Sequence, residues 1–324
     1  MAYTATTDVT TLPAYYSKVF LERYNPGPKM MPLCIQTPLE GGSGTTIYFP
    51  RVTNFSTTVS AYKLAQGTIV TPAKFADAQV SAVIEQFGNA VGVTDLTFLT
   101  AISDTAAEVS RTLANQAANI LDARIMQAAY DTSATPTGAG FSCFAYNTVG
   151  ATDLGISTSA FGTYAGIVEY RMKAATIRAA AAKLRARNVP PMEDGMFALV
   201  THSDTSARLR GDTEWQNAYI YTNADDVRMG VASAYEGVKV IVDNNITTSA
   251  NGSNGCTLYY SILLGSGALG ATELDGGIKV MTTPPTADKA DPLGQFGTLG
   301  WKANFVPKIL NVSGGLIVVT ADTV

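Results

Sequence analysis

Apolar side chains recur every three or four positions between residues 103 and 131, and this pattern predicts the longest helix of the chain. Ala106, Val109, Leu113, Ala117, Ile120, Leu121, Ile125 and Ala128 fall on one stripe. Ser103 or Asp104 is placed to cap it, and Glu108 sits in the first turns, where a carboxylate complements the helix dipole. At 1.5 Å per residue such a helix is roughly 40 Å long. Its stripe is rich in Ala, so it can lie close against a sheet as a spine. A second helix is predicted from Ile167 to about Arg187, stopped by Asn188-Val189-Pro190-Pro191.

The strand signals have a different period. Thr45-Thr46-Ile47-Tyr48-Phe49-Pro50-Arg51-Val52 is β-branched and aromatic, and Gln79 to Phe87 roughly alternates. About 26 residues with few hydrophobic anchors separate them. Loops of that length are uncommon inside compact domains and tend to be functional. A long two-stranded arm projecting from the body is the expectation. Farther on, Met196–Thr201 predicts a strand, and Ser203–Arg210 a short helix capped by Ser203 or Asp204. Val238–Asp243, Thr257–Leu264 and Ile278–Thr282 predict further strands. Gly297 to Thr320 holds apolar strand segments, of which Leu316-Ile317-Val318-Val319 is expected to return to the spine helix. The mixture is α+β, and no internal repeat points to a solenoid or propeller.

Residues 1–44 read as an arm. Asn25-Pro26-Gly27-Pro28 and Gly41-Gly42-Ser43-Gly44 break regular structure, with one short helical stretch over Tyr15–Leu21. The arm nevertheless carries Tyr15, Tyr16, Phe20, Tyr24, Met30 and Met31, more apolar surface than a disordered tail holds. It must lie on something. Residues 132–165 form a Gly/Ser/Thr-rich connection, a candidate domain boundary.

Composition sharpens this picture. Of 324 residues, 46% are hydrophobic but only 15% charged, with 29 Gly and 40 Thr filling the gap. Soluble domains carry about 25% charged residues, whereas the cores of protein interfaces are poor in charge. The net charge of −4 does not suggest a nucleic-acid-binding protein. Cys34, Cys143 and Cys256 lie too far apart for a zinc cluster or a disulfide framework, which fits folding in a reducing cytoplasm. The first residues lack the pattern of a signal peptide, and no apolar run approaches the roughly 20 residues of a membrane span.

Candidate chemistry is sparse. His202 is the only histidine, with Ser203 and Asp204 directly after it. Triad members converge from separate places, so helix capping is the simpler role for this trio. Gly265-Ser266-Gly267-Ala268-Leu269-Gly270 matches G-x-G-x-x-G, yet Ala271 to Gly277 behind it read as a turn into a strand, not the helix that holds a pyrophosphate. Gly41–Gly44 has no Gly-Lys-Ser/Thr behind it and is not a P-loop. The predicted second helix concentrates Arg171, Lys173, Arg178, Lys183, Arg185 and Arg187. Phosphate binding is one reading; a charged helix face is the other, and no base-reading residues are interleaved. Glu193/Asp194 and Asp225/Asp226 sit in loop-like sequence that nothing positions as an acid–base pair. No catalytic, cofactor or metal residues are expected.

Tyr16–Arg23, Gly44–Val52, Gln86–Asp95, Asn188–Pro191, Leu209–Asp212 with Trp215–Ala218, and Gly297–Lys302 stand in an order that resembles the major capsid proteins of tailed bacteriophages, in particular those of the N4-like podoviruses. The resemblance implies an HK97-like fold. Its N-terminal arm would be 1–44, an E-loop with flanking strands 45–96, and a P-domain 97–160 with the spine helix at 103–131. An A-domain would span 161–277, with C-terminal strands 278–324 returning to the P-domain. It further implies pentamers and hexamers of the chain itself, assembled in the host bacterial cytoplasm into a virion capsid. Scaffolding protein, portal and a decoration protein would be partners. Double-stranded DNA would be enclosed without sequence-specific binding, with no membrane involved. Tyr15, Tyr16 and Phe20 on the arm, and Tyr48, Phe49 and Arg51 at the base of the E-loop, are the expected inter-subunit contacts. An encapsulin-like compartment shell and a nucleotide-dependent enzyme using the 265–270 turn are the competing readings.

Overall fold

The computed structural model describes residues 11–24, 27–42, 44–52, 63, 66, 77–100, 105–130, 140–147, 150–152, 171–220, 234–249, 257–285 and 292–322. The stripe at 103–131 forms helix α3, Thr105–Ala129, about 37 Å long. Ala106, Ser110, Leu113, Ala114, Ala117, Leu121, Asp122, Ile125 and Ala129 are buried along it, while Val109 and Ile120 pack at its margin. Ser103 and Asp104 lie outside the described residues.

Helix α3 lies on a four-stranded sheet of order β1-β12-β13-β4, formed by Ile35–Gln36, Leu269–Thr283, Phe296–Ile309 and Glu85–Thr94. The three long strands are antiparallel, and β1 adds in parallel at one edge. Alternation explains why β13 faces the spine: Leu299, Trp301, Ala303 and Phe305 are buried, and the residues between them are not. Strand β12 is far longer than the predicted Ile278–Thr282. Its register against β13 shifts between Glu273 and Ile278, where Gly276 and Gly277 take φ of 83° and 76°. A glycine pair that reads as a turn is here a bulge that lets one strand continue. The boundary expected between 277 and 278 therefore falls inside a strand.

A larger sheet has the order β6-β5-β14-β11-β7-β9-β8, comprising Gly150–Thr152, Ser142–Asn147, Gly315–Asp322, Thr257–Leu264, Phe197–Thr201, Val238–Val242 and Ala234–Tyr235, with β10 (Thr248–Ser249) beside β11. The last strand, β14, thus inserts between β5 and β11. It meets the spine with one face only: Ile317 and Val319 join the α3 core, while Leu316 and Val318 face a second core under helix α4, Ala174–Ala186. That helix starts seven residues later than predicted. Lys173 is extended, and the Asp212 carboxylate accepts the Ala174 amide at 2.8 Å, supplying a cap from a distant loop. Arg171 and Lys173 therefore precede the helix, and residues 167–170 lie outside the described ones. Helices α5, Ser203–Arg210, and α6, Thr213–Ile220, come after β7.

Strands β2, Thr46–Val52, and β3, Asp77–Val83, form the expected two-stranded ribbon. The predicted 79–87 strand is in fact the end of β3 and the start of β4, interrupted at Ile84. The predicted short helix of the arm is a full one, α1, Thr11–Tyr24, lying on α3 and β12 of its own protomer. Most of the excursion between β2 and β3 is outside the described residues.

Candidate assembly surface

The residues with chemical potential are absorbed by structure. His202 caps α5 itself, its Nδ1 accepting the Asp204 amide at 3.2 Å, so the cap lies one residue before the Ser203/Asp204 expected for it. Tyr259 stacks near the imidazole at 5.0 Å and donates to the Asp204 carboxylate at 2.8 Å. The trio ties a helix start to β11. The 265–270 turn passes from β11 directly into β12, so it does not open a helix. Gly267 has φ 72°, and a Cβ on Gly265 would lie 2.4 Å from Val189 Cγ1; close backbone approach is what these glycines provide. Gly42 and Gly44 likewise have φ of 90° and 89°.

The basic residues of α4 make local ties. Arg178 pairs with Glu214 and Glu236 and donates to the Tyr235 hydroxyl, and Arg185 donates to the Glu236 carbonyl at 2.7 Å. Arg187 reaches Ser142 Oγ at 3.0 Å, and Lys183 lies over the Phe144 ring. These cations fasten the helix to its sheet. Asp194 is paired with Lys239 on the surface, and Asp225/Asp226 lie outside the described residues. Among the described residues no group of three His, Cys, Asp or Glu side chains is placed to hold a metal, and no helix is long and apolar enough to cross a membrane. Burial raises the Cys34 thiol to about 12, with Asp122 adding to the shift.

The expected contact residues divide. Phe20 is 1% exposed, stacked on Tyr24 and packed into the α3 core. Phe20 therefore packs within its own protomer. Phe49 is likewise buried, with Ile47, Ala82 and Val306. Tyr48, on the opposite face of the ribbon, is 61% exposed, with Val83 at 60% on that same face. The side chains of Tyr15, Tyr16 and Arg51 are outside the described residues. A second exposed apolar group, Leu96, Leu293 and Phe296, gathers at the end of the four-stranded sheet where Phe296 pairs with Thr94.

Asp122 escaped the sequence reading, although an acid on the apolar face of a predicted helix is a signal in itself. It is 2% exposed, and its carboxylate accepts the backbone amides of Lys29 at 2.6 Å and Met30 at 3.1 Å. The Lys29 ammonium donates to the Val242 carbonyl at 2.7 Å. One clasp joins arm, spine and larger sheet. Desolvation pushes the carboxyl up to about 6, partly offset by the Lys29 and Met30 amides, with nearby Asp243 adding to the rise.

A sequence profile of a family described as phage capsid protein matches residues 77–317. The sequence matches no curated protein. Among solved structures, a chain of the cyanophage Pam1 capsid asymmetric unit is similar at 16% identity, covering 92% of each chain, with a TM-score of 0.65. The capsid of Ralstonia phage GP4 aligns at 11% identity over 94% of this chain and 91% of that one, with a TM-score of 0.63. The capsid of cyanophage P-SCSP1u aligns at 16% identity over 90% and 87%, with a TM-score of 0.60. At such identities the likeness establishes the fold.

Proposed function

We propose, on the premise that this chain belongs to the phage capsid protein family and has the HK97-like fold, that it closes an icosahedral phage head as pentamers and hexamers of itself. The chain is a major capsid protein, a structural subunit of the virion. The finer assignments are ours: an E-loop built on β2 and β3, a P-domain around α3 and the four-stranded sheet, and an A-domain around α4 and the larger sheet. Exposed Tyr48 and Val83 on one face of a two-stranded ribbon are the observation that carries the assembly mode. The inner face of the ribbon packs on Val306 of β13, and its apolar outer face gains most by lying on a neighbour. Tyr15, Tyr16 and Arg51 remain candidates for the same role. A stable interface buries on the order of 1,600 Å², and a subunit making several of them in closed symmetry needs only modest strength from each. Assembly in the host cytoplasm around scaffolding protein and portal, later addition of a decoration protein, and enclosure of double-stranded DNA without sequence-specific contacts complete the proposal. The test is electron microscopy of the expressed chain, alone and with its phage's scaffolding protein. Closed shells with five- and six-fold capsomers are expected; a monomer under every assembly condition overturns it.

A further inference from the structure

Six basic residues lie on or just before α4, and four of them are committed to its attachment. Arg178 pairs with Glu214 and Glu236, Arg185 and Arg187 donate to the Glu236 carbonyl and Ser142, and Lys183 lies over Phe144. The side chains of Arg171 and Lys173 make no such tie among the described residues. Both instead line a cavity of about 310 Å³ between the start of α4 and the end of α5, where Arg208 joins them from α5. All three are half-buried, so their charges are partly withdrawn from water and act more strongly on what enters. Asp212 is the one acidic residue in the lining among the described residues, and its Oδ2 already accepts the Ala174 amide at 2.8 Å. Three cations against one carboxylate leave the lining a formal charge of +2, in a chain whose net charge is −4.

We propose that this cavity binds a phosphate dianion, either free phosphate or the terminal phosphate of a nucleotide. The guanidinium forks of Arg171 and Arg208 suit paired phosphate oxygens, and Lys173 adds a point charge. A phosphate monoester carries about −1.5 to −2 at neutral pH, which matches the lining. A phosphodiester of DNA carries a single charge and leaves the cavity half compensated. The helix start is not the attraction, because Asp212 already caps it. The cavity lies at the lower end of small-molecule sites, roughly 300–1,000 Å³, a size for phosphate or a mononucleotide and not for a protein segment. Its lining falls wholly between residues 171 and 213, so the site is complete within one protomer and independent of the capsid reading.

Titration calorimetry of the purified full chain tests it at matched ionic strength. The probes are inorganic phosphate, adenosine monophosphate and a short DNA duplex without terminal phosphates. One phosphate or one adenosine monophosphate is expected to bind per chain. Lys173→Gln and Arg208→Gln are each expected to weaken that binding about tenfold, the loss of one charge-assisted contact. Lys239→Gln removes a cation paired with Asp194 elsewhere on the surface and is expected to leave it unchanged. The two cavity variants lie on different elements, and either one that keeps wild-type circular dichroism suffices. Equal affinity for the two small probes assigns the site to free phosphate, and tighter adenosine monophosphate assigns it to a nucleotide; both uphold it. Absence of saturable binding by either probe overturns the proposal, as does binding that the folded cavity variants leave intact. Saturable binding of the duplex alone overturns the choice of ligand.

Discussion

The Asp122 carboxylate on the spine helix holds the Lys29 amide at 2.6 Å, across 93 residues of chain. That bond, its partner to Met30 and the Lys29–Val242 contact tie the arm to both halves of the protomer. The site is buried, so the consequences of altering it are large and separable.

Asp122→Ala strips the acceptor from two arm amides, one of them buried, and is expected to destabilise the subunit by about 2–4 kcal/mol. Asp122→Asn keeps one acceptor and removes a desolvated charge, so near neutral pH it is expected to fall within about 1 kcal/mol of wild type. Urea denaturation of free subunits measures both.

The same carboxyl gives the subunit a pH dependence of defined sign. Its value rises from 3.8 to about 6 on folding, so the folded state binds the proton more tightly. The stabilisation is complete below the unfolded value and is lost as pH rises through about 6, amounting to about 3 kcal/mol. Wild type is expected to lose this increment between acid and neutral pH relative to Asp122→Asn. Parallel stability profiles for the two proteins refute it.

Phe20 and Tyr48 should separate folding from assembly. Phe20→Ala empties part of the α3 core and is expected to cost the isolated subunit about 3–5 kcal/mol. Tyr48→Ala changes an exposed side chain, so subunit stability should stay within about 0.5 kcal/mol while light scattering shows slower or weaker assembly.

Gly265→Ala tests the glycine-rich turn as structure. The new methyl meets Val189 Cγ1 at 2.4 Å and the Pro190 carbonyl at 3.0 Å, a crowding expected to cost about 1–3 kcal/mol. A thermal midpoint equal to that of wild type contradicts the packing role.

Much of the fold was legible because it is local. The stripe from Ala106 to Ile125 specifies α3 by its period, and the largely apolar run Thr257–Leu264 and the helix Ser203–Arg210 appear with the predicted bounds. The ribbon at Tyr48 and Phe49 was legible too, but which of the two faces outward was not, since that depends on Val306 lying beneath Phe49.

By itself the sequence determined the periodic elements, helix capping as the simpler role of its one histidine, and a low charge that suits a subunit with many neighbours. Tertiary structure alone decided that β14 enters the larger sheet, that the Gly276-Gly277 pair bends β12 instead of ending it, that Phe20 stays within its protomer, and that Asp122 holds the arm. The division has one physical cause. Periodicity reports which face of a segment is apolar, whereas the partner that covers it is chosen by packing and hydrogen bonding between residues far apart in the chain.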